Sequence, residues 1–309
     1  MRTNHRRYSE EAGDFARLGR FFIRHNDHIR AHSTWCIGRI ADWKHGLYGN
    51  KMDIGDFTGH NARLWFDAFD ELVGFVVSEN GDAGITIITL PGYRFLFEEM
   101  LCWAMTNWGD REPRMAIEIT DRQDVEAAVL TRYGFSCDST FYTRCFDLTR
   151  EPGVHFPLEE GFSIVDMQAH PDYRAQLILR REAFGGVSDM GEDEIARGLR
   201  LAEYGRQSPI YYPRTDLCVM ASDGRFVSCC EALIDAHNLT ADIERICTHS
   251  AFRRRGFARA VIQECLRRLH HMGIHTAYIT GYSPEAIALY GSMGAVGELK
   301  AYVYKTAEK

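Results

Sequence analysis

The chain has 309 residues, of which 45% are hydrophobic and 26% charged, and a net charge of −7. This is ordinary soluble composition with length enough for two cores, and its acidic balance excludes a general nucleic-acid binder. No apolar run is long enough to span a membrane, and Met1 to Arg20 lacks the continuous apolar stretch of a secretory signal. Nine scattered cysteines, odd in number and without a C-x-x-C pair, read as the reduced thiols of a cytoplasmic protein.

In chain order, Leu72–Val77 and Ile85–Leu90 read as strands around a Glu79-Asn80-Gly81-Asp82 turn. Phe95–Trp108 reads as a helix, Met115–Thr120 as a strand, Gln123–Tyr133 as a helix and Thr140–Leu148 as a strand. Pro152, Gly153, Pro157 and Gly161 cluster within Thr149–Gly161, which marks a join between domains 1–150 and 151–309. Beyond it come a strand at Phe162–Met167, helices at His170–Phe184 and Asp189–Tyr204, and a short apolar run at Leu217–Met220. Pro209–Pro213 reads as a loop with packed aromatics, Tyr211 and Tyr212 being alternative pocket residues. An Asp223-Gly224 hairpin leads to Phe226–Ile234, then strand Ile243–Thr248, a helix from about Ala260 to His271, strand Thr276–Thr280, helix Pro284–Met293 and strand Lys300–Lys305. His270, His271 and His275 straddle the helix end at Met272-Gly273, so they cannot share a helical face and no metal site is expected. The five tryptophans all lie in the first half, where they are expected to fill its core and domain interface.

The two halves repeat one plan, with Gly134 falling where Gly294 does and Tyr93-Arg94 where Phe252-Arg253 does. The run Arg253-Arg254-Arg255-Gly256-Phe257-Ala258 lies between a strand and a helix start, where backbone N–H groups and the helix dipole favour an anion. It lacks the Gly-Lys-Ser/Thr of a P-loop, and no Rossmann Gly-x-Gly-x-x-Gly occurs. At the matching place the first half has Phe95-Leu96-Phe97-Glu98-Glu99, whose bulk and charge would keep a pyrophosphate from the backbone. Opposite Tyr290 it has Leu130.

Arg253-x-x-Gly256-x-Ala258 resembles the pyrophosphate loop, Arg/Gln-x-x-Gly-x-Gly/Ala, of the GNAT N-acetyltransferase superfamily, which uses acetyl-coenzyme A. Ala286-Ile287-Ala288-Leu289-Tyr290-Gly291-Ser292-Met293-Gly294 resembles the family's second signature, and the two lie a helix, a strand and a helix apart. The resemblance implies an α+β (mixed α/β) class, with two GNAT-like domains, each a twisted, mostly antiparallel sheet flanked by helices. Only the second would bind coenzyme, the first being a degenerate structural copy. Ile246, Cys247 and Thr248 would pair with the pantetheine arm, and the loop from Arg253 through Arg254, Arg255, Gly256 and Phe257 to Ala258 would hold the pyrophosphate. Ser283 stands at the family's frequent Asn and keeps one hydrogen bond to offer; Arg254 and Ala258 replace family glycines, and Ala295 a Phe.

Tyr290 is the candidate general acid for the departing thiolate, against the alternative of a core aromatic. Glu244 is the candidate base for the amine, against a solvent-facing carboxylate paired with Arg245 or Arg253; His249 is a second base or a turn cap. The expected activity is transfer of an acetyl group from acetyl-CoA to a primary amine, small or peptidic, by direct attack and without metal. The alternative is a non-catalytic acyl-CoA sensor. The acceptor's identity and a homodimeric state stay open.

Overall fold

A computed structural model describes residues 2–29, 35–45, 55–153, 156–187 and 189–308. Its contacts divide the chain into two units, Met1–Thr143 with Leu299–Lys309, and Arg144–Glu298. The expected join at Thr149–Gly161 thus falls inside the second unit, and residues 154–155 of it lie outside the described residues.

The chain from the first strand to the sixth runs β1 (Asn4–Arg7), α1 (Asp14–Ile29), α2 (Ile37–His45), α3 (Phe57–Asn61), β2 (Ala62–Phe66), β3 (Leu72–Val77) and β4 (Gly84–Thr89). A 3₁₀ turn (Pro91–Leu96), α4 (Phe97–Trp108), β5 (Ala116–Thr120), α5 (Asp124–Arg132) and β6 (Phe135–Asp147) complete it. The remainder runs β7 (Phe162–Asp166), α6 (Tyr173–Gly185), α7 (Glu192–Gly205), β8 (Tyr211–Ala221), β9 (Phe226–Asp235) and β10 (Thr240–Thr248). A 3₁₀ turn (Ser250–Phe252), α8 (Phe257–His271), β11 (Thr276–Gly281), α9 (Pro284–Gly291) and β12 (Gly297–Thr306) close the chain. Apart from the short α3, the order is the same twice. Gly134 and Gly294, matched in the sequence, both follow a helix with φ of +82° and +83°, a left-handed turn that glycine adopts without Cβ strain.

In the first unit the strand order is β1-β2-β3-β4-β5-β12-β6. β12 lies antiparallel to β5, from Ala301 opposite Thr120 to Lys305 opposite Ala116. A linear division at residue 150 leaves this closing strand in the second domain, whereas its hydrogen bonds place Leu299–Lys309 in the first unit. Trp35, Trp43 and Trp65 are fully buried there, among Phe22, Phe66 and Phe75.

The second unit has the order β7-β8-β9-β10-β11, with the Arg144–Asp147 end of β6 beside β11. β9 is buried along its whole length, since α8 packs against it and α6 does too. This explains why Phe226–Asp235 reads as a nearly continuous apolar run instead of an alternating one. The first face carries Leu217, Val219, Ala232, Val261, Cys265 and Leu269, and the second Met167, Leu179, Cys218 and Cys229. β8 starts six residues before the apolar run Leu217–Met220: it takes in Tyr211, Tyr212 and Pro213, and the expected loop there is strand. Pro213 is accommodated where the β8–β9 register breaks, between Tyr211 and Asp216.

Candidate active site

The turn leaving β10 builds the site's floor. Gly256 has φ +84° and is the N-cap of α8, with no side chain capping the helix. Among the described residues, the first N–H groups of α8 therefore have neither an intrahelical partner nor a side-chain cap. α8 begins at Phe257, three residues before the expected Ala260, because the left-handed glycine lets the chain turn straight into the helix. A cleft of about 650 Å³ opens here. Its lining brings together Ile246, Cys247, Thr248, Arg253, Arg254, Gly256, Phe257, Ala258, Ser283 and Tyr290 from the sequence expectation. Glu244 and Arg255 are not part of that lining.

The three consecutive arginines do three different things. Arg253 donates through Nε to the Thr248 carbonyl (3.3 Å) and through Nη2 to the Ala183 carbonyl (3.2 Å), tying the loop to the end of β10 and to α6. Arg255 turns away, donating to both carboxylate oxygens of Glu159 and lying over Phe162, Phe252 and Phe257 at 4.9, 5.4 and 5.0 Å. Arg254, with φ +67°, is exposed and borders the cleft. Arg259, one turn into α8, also borders it and donates to Ser292 Oγ at 2.6 Å. The sequence reading passed over Arg259, although a cation in the first turn after an anion loop is a usable signal.

β10 supplies the wall. Its parallel register with β11 runs from Thr240↔Thr276 to Asp242↔Tyr278. Against β9 the register slips between Glu244↔Glu231 and Cys247↔Cys229, so Arg245 and Ile246 stand opposite Cys230 alone. Arg245 takes up the extra residue with φ +53°. Past this bulge, Ile246, Cys247 and Thr248 line the cleft.

Tyr290 comes from α9, whose start is capped by the Ser283 side chain accepting from Ala286 N at 3.2 Å. Pro284 follows at the first helical position, where its missing N–H costs nothing. Tyr290 is 5% exposed, both packed in the core and bordering the cleft. Burial, and then the Glu244 carboxylate, push its phenol well above the ordinary range, so it stays protonated at neutral pH. His249 caps the 3₁₀ turn, its Nδ1 accepting from Ala251 N at 3.2 Å. Nearby, burial works to raise the Glu182 carboxyl, but hydrogen bonds from Ser250 outweigh it and hold Glu182 low.

Glu244 is half-buried and stands at the end of a row of acids crossing three strands, Asp216 on β8 opposite Glu231 on β9 opposite Glu244 on β10. Arg180 of α6 reaches Asp216 at 3.3 Å and Glu231 at 3.2 Å, and Arg245 donates to Glu231 at 2.7 Å. Gln176 Nε2 and Tyr211 Oη donate to Asp216 at 2.6 and 3.0 Å. Tyr211 thus belongs to this buried network. Among the described residues no group of His, Cys, Asp and Glu could hold a metal ion, and no helix is long and apolar enough to cross a membrane.

The matching turn in the first unit is filled. Leu96 and Phe97 are buried, and Arg94 donates to both oxygens of the buried Glu126 at 2.8 and 2.5 Å. Leu130 is fully buried where the second unit has Tyr290.

The bulged edge of β10, the start of α8 and Tyr290 of α9 thus border one cleft. Residues 189–295 match the acetyltransferase (GNAT) family model, so the second unit carries a GNAT domain. The fold of the whole chain is that of tandem GNAT proteins. A GCN5-related N-acetyltransferase from Sphaerobacter thermophilus is similar over 98% of this chain and 95% of its own, with TM-score 0.66 and 16% identity. A tandem GNAT protein from the clavulanic acid biosynthesis pathway, solved without AcCoA, gives TM-score 0.64 and 12% identity over 99% and 98% of the two chains. A GNAT-family acetyltransferase from Colwellia psychrerythraea gives 0.54 and 12% over 98% and 100%. No curated protein sequence matches the chain. The GNAT fold is one that takes an acyl group from acyl-CoA.

Proposed function

We propose that the second unit transfers an acetyl group from acetyl-CoA to a primary amine, small or peptidic, in a ternary complex. The observation that carries this is the cleft itself, which joins the bare loop at Gly256, the bulged edge of β10 and Tyr290. Ile246, Cys247 and Thr248 would pair with the pantetheine arm; Arg253, Arg254, Gly256, Phe257 and Ala258 would seat the pyrophosphate, with Ser283 donating alongside. Arg255 supports the same seat indirectly, by bracing the loop on its aromatic neighbours and Glu159.

A bound acetyl-CoA supplies the acyl group as a thioester. Glu244, which lies outside the cleft lining, takes a proton from the amine through a water as the amine nitrogen bonds to the carbonyl carbon, and Tyr290 gives its proton to the sulfur as the C–S bond breaks. The two protons balance, and holding both reactants in one cleft supplies much of the acceleration. None of the nine free cysteines is needed as a nucleophile, and they fit a reducing, cytoplasmic setting. The first unit is a structural copy, its turn filled by Leu96, Phe97 and the Arg94–Glu126 pair.

The test is thiol release from acetyl-CoA across a panel of amines and peptides, with calorimetric binding of CoA alongside. Acceptor-dependent release and one CoA per chain are expected. Binding without release on any acceptor would favour a sensor, and no binding would remove the coenzyme reading.

A further inference from the structure

A left-handed conformation at a non-glycine residue persists only where its surroundings impose it. Arg245 is such a residue, with φ +53° at the bulge that turns β10 toward the cleft, a position where glycine is the unstrained choice. Its side chain is buried, and Nη1 donates to Glu231 at 2.7 Å, with side-chain exposures of 6% and 3%. Glu231 is itself fixed from the other side by Arg180 at 3.2 Å. The register explains the reach: Glu231 sits opposite Glu244, the residue just before the bulge, so a side chain projecting from position 245 meets it only when the backbone there is turned. The thiol of Cys229, one register step away, also donates to the Arg245 carbonyl at 3.6 Å.

We propose that Glu231 is a positioning residue which, through its buried ion pair with Arg245, holds the left-handed turn in β10 and so presents Ile246–Thr248 to the cleft. Glu231 touches neither coenzyme nor acceptor in this scheme; it acts through Arg245 on the backbone beyond. The proposal rests on the reading of that edge as the pantetheine wall, so one readout is independent of coenzyme.

The test uses the full chain with four variants, Glu231→Gln, Arg245→Ala, Arg245→Gly and the double variant Glu231→Gln/Arg245→Gly. Hydrogen exchange of the 244–248 backbone is measured without ligand, and CoA affinity by calorimetry. With the clamp weakened or the arginine side chain gone, E231Q and R245A should exchange about tenfold faster and bind CoA about tenfold more weakly, the factor set by the strain of a left-handed non-glycine residue. R245G and the double variant should match the wild type in both, because glycine holds the turn unaided. Wild-type exchange in E231Q, or loss in the double variant equal to that in R245A, overturns the proposal. Should E231Q fail to fold, the contrast between R245A and R245G decides alone, equal behaviour overturning it. Failure of the wild type to bind CoA refutes the coenzyme reading while the exchange data still judge the clamp.

Discussion

Replacing Gly256 by alanine tests the cleft with one added carbon. At φ +84° a Cβ carries the left-handed strain of a non-glycine residue, about 1–2 kcal/mol. That Cβ would also lie 2.3 Å and 2.6 Å from two ring carbons of Phe156. Phe156 is 36% exposed, so its ring can swing outward and the clash adds little. The folded state should therefore lose little beyond the strain, which lowers Tm by roughly 2–8 °C for a unit of this size. Binding bears a separate cost. The methyl points at Phe156, outside the cleft lining, so it acts on the ligand by straining the turn; shifting the first N–H groups of α8 enough to lose one charge-assisted hydrogen bond to a pyrophosphate costs about 1.5–3 kcal/mol, or roughly 10- to 150-fold in Kd. Gly273, just past the other end of α8, provides the control. It has φ +80° with nothing within 4 Å of its Cβ position, so Gly273→Ala repeats the strain without crowding the loop. Calorimetry with CoA and thermal unfolding on both variants separate the two costs. Equal Tm losses with Kd weakened only in Gly256→Ala are expected. A Gly256→Ala protein that binds CoA as the wild type does would refute the assignment of the pyrophosphate to this loop.

Tyr290→Phe should lower kcat by about 10²-fold while leaving CoA affinity nearly unchanged, as measured by thiol release and calorimetry; unchanged turnover removes the acid role. Because the Tyr290 phenol is raised above 10.0, no loss of kcat from its ionisation is expected below that pH. Arg254→Ala should weaken CoA by roughly 10-fold or more and flatten the salt dependence of binding, whereas Arg255→Ala should change it by only about threefold. Arg255 already commits its charge to Glu159, in a half-exposed pair. Burial and then Glu231 push the Asp216 carboxyl up to about 7 against the pull of Arg180. Its folded pKa thus lies above the unfolded 3.8, so the associated stability is present in acid and is lost as pH rises through about 7. Urea unfolding from pH 5 to 8 should show that decline, and Asp216→Asn should flatten it.

The parts legible in the sequence were those written as residue types with one structural meaning. A glycine before a helix, a small residue after it and a proline at a helix start identify the loop and α9 without any tertiary knowledge. The strands around the site were likewise visible as apolar runs, within a few residues of their bounds. The roles of Arg253 and Arg255 were not legible, because the Ala183 carbonyl and Glu159 that hold them lie far away in the chain. Nor does an arginine at 245 announce a left-handed bulge; only Glu231 across the sheet makes that conformation hold. α1 escaped notice although its buried Leu18, Phe21, Phe22 and His25 fall at helical spacing, since arginines and histidines dilute the apolar stripe. The closing strand was seen as a strand, but periodicity cannot say which sheet receives it.

The contrast between the two turns shows why a single substitution would not convert one unit into the other. In the second unit the first arginine of the loop donates to two carbonyl oxygens, with the Glu182 carboxylate near enough to feel its charge. In the first unit Arg94 meets a carboxylate, Glu126, which is only 3% exposed. That carboxylate is where an anionic ligand's charge would otherwise be felt. Removing it would cost Arg94 two charge-assisted hydrogen bonds, a modest loss, because its guanidinium is 42% exposed and still has Asp124 at 3.9 Å. Enlarging the turn by Phe97→Gly would remove a fully buried ring, at about 3–5 kcal/mol more, with Leu96 still filling its place. Each step toward a coenzyme seat in the first unit therefore lowers stability before any binding is gained. The filled turn is for that reason a settled structural solution, and the proposed coenzyme seat belongs to the unit whose turn keeps its glycine.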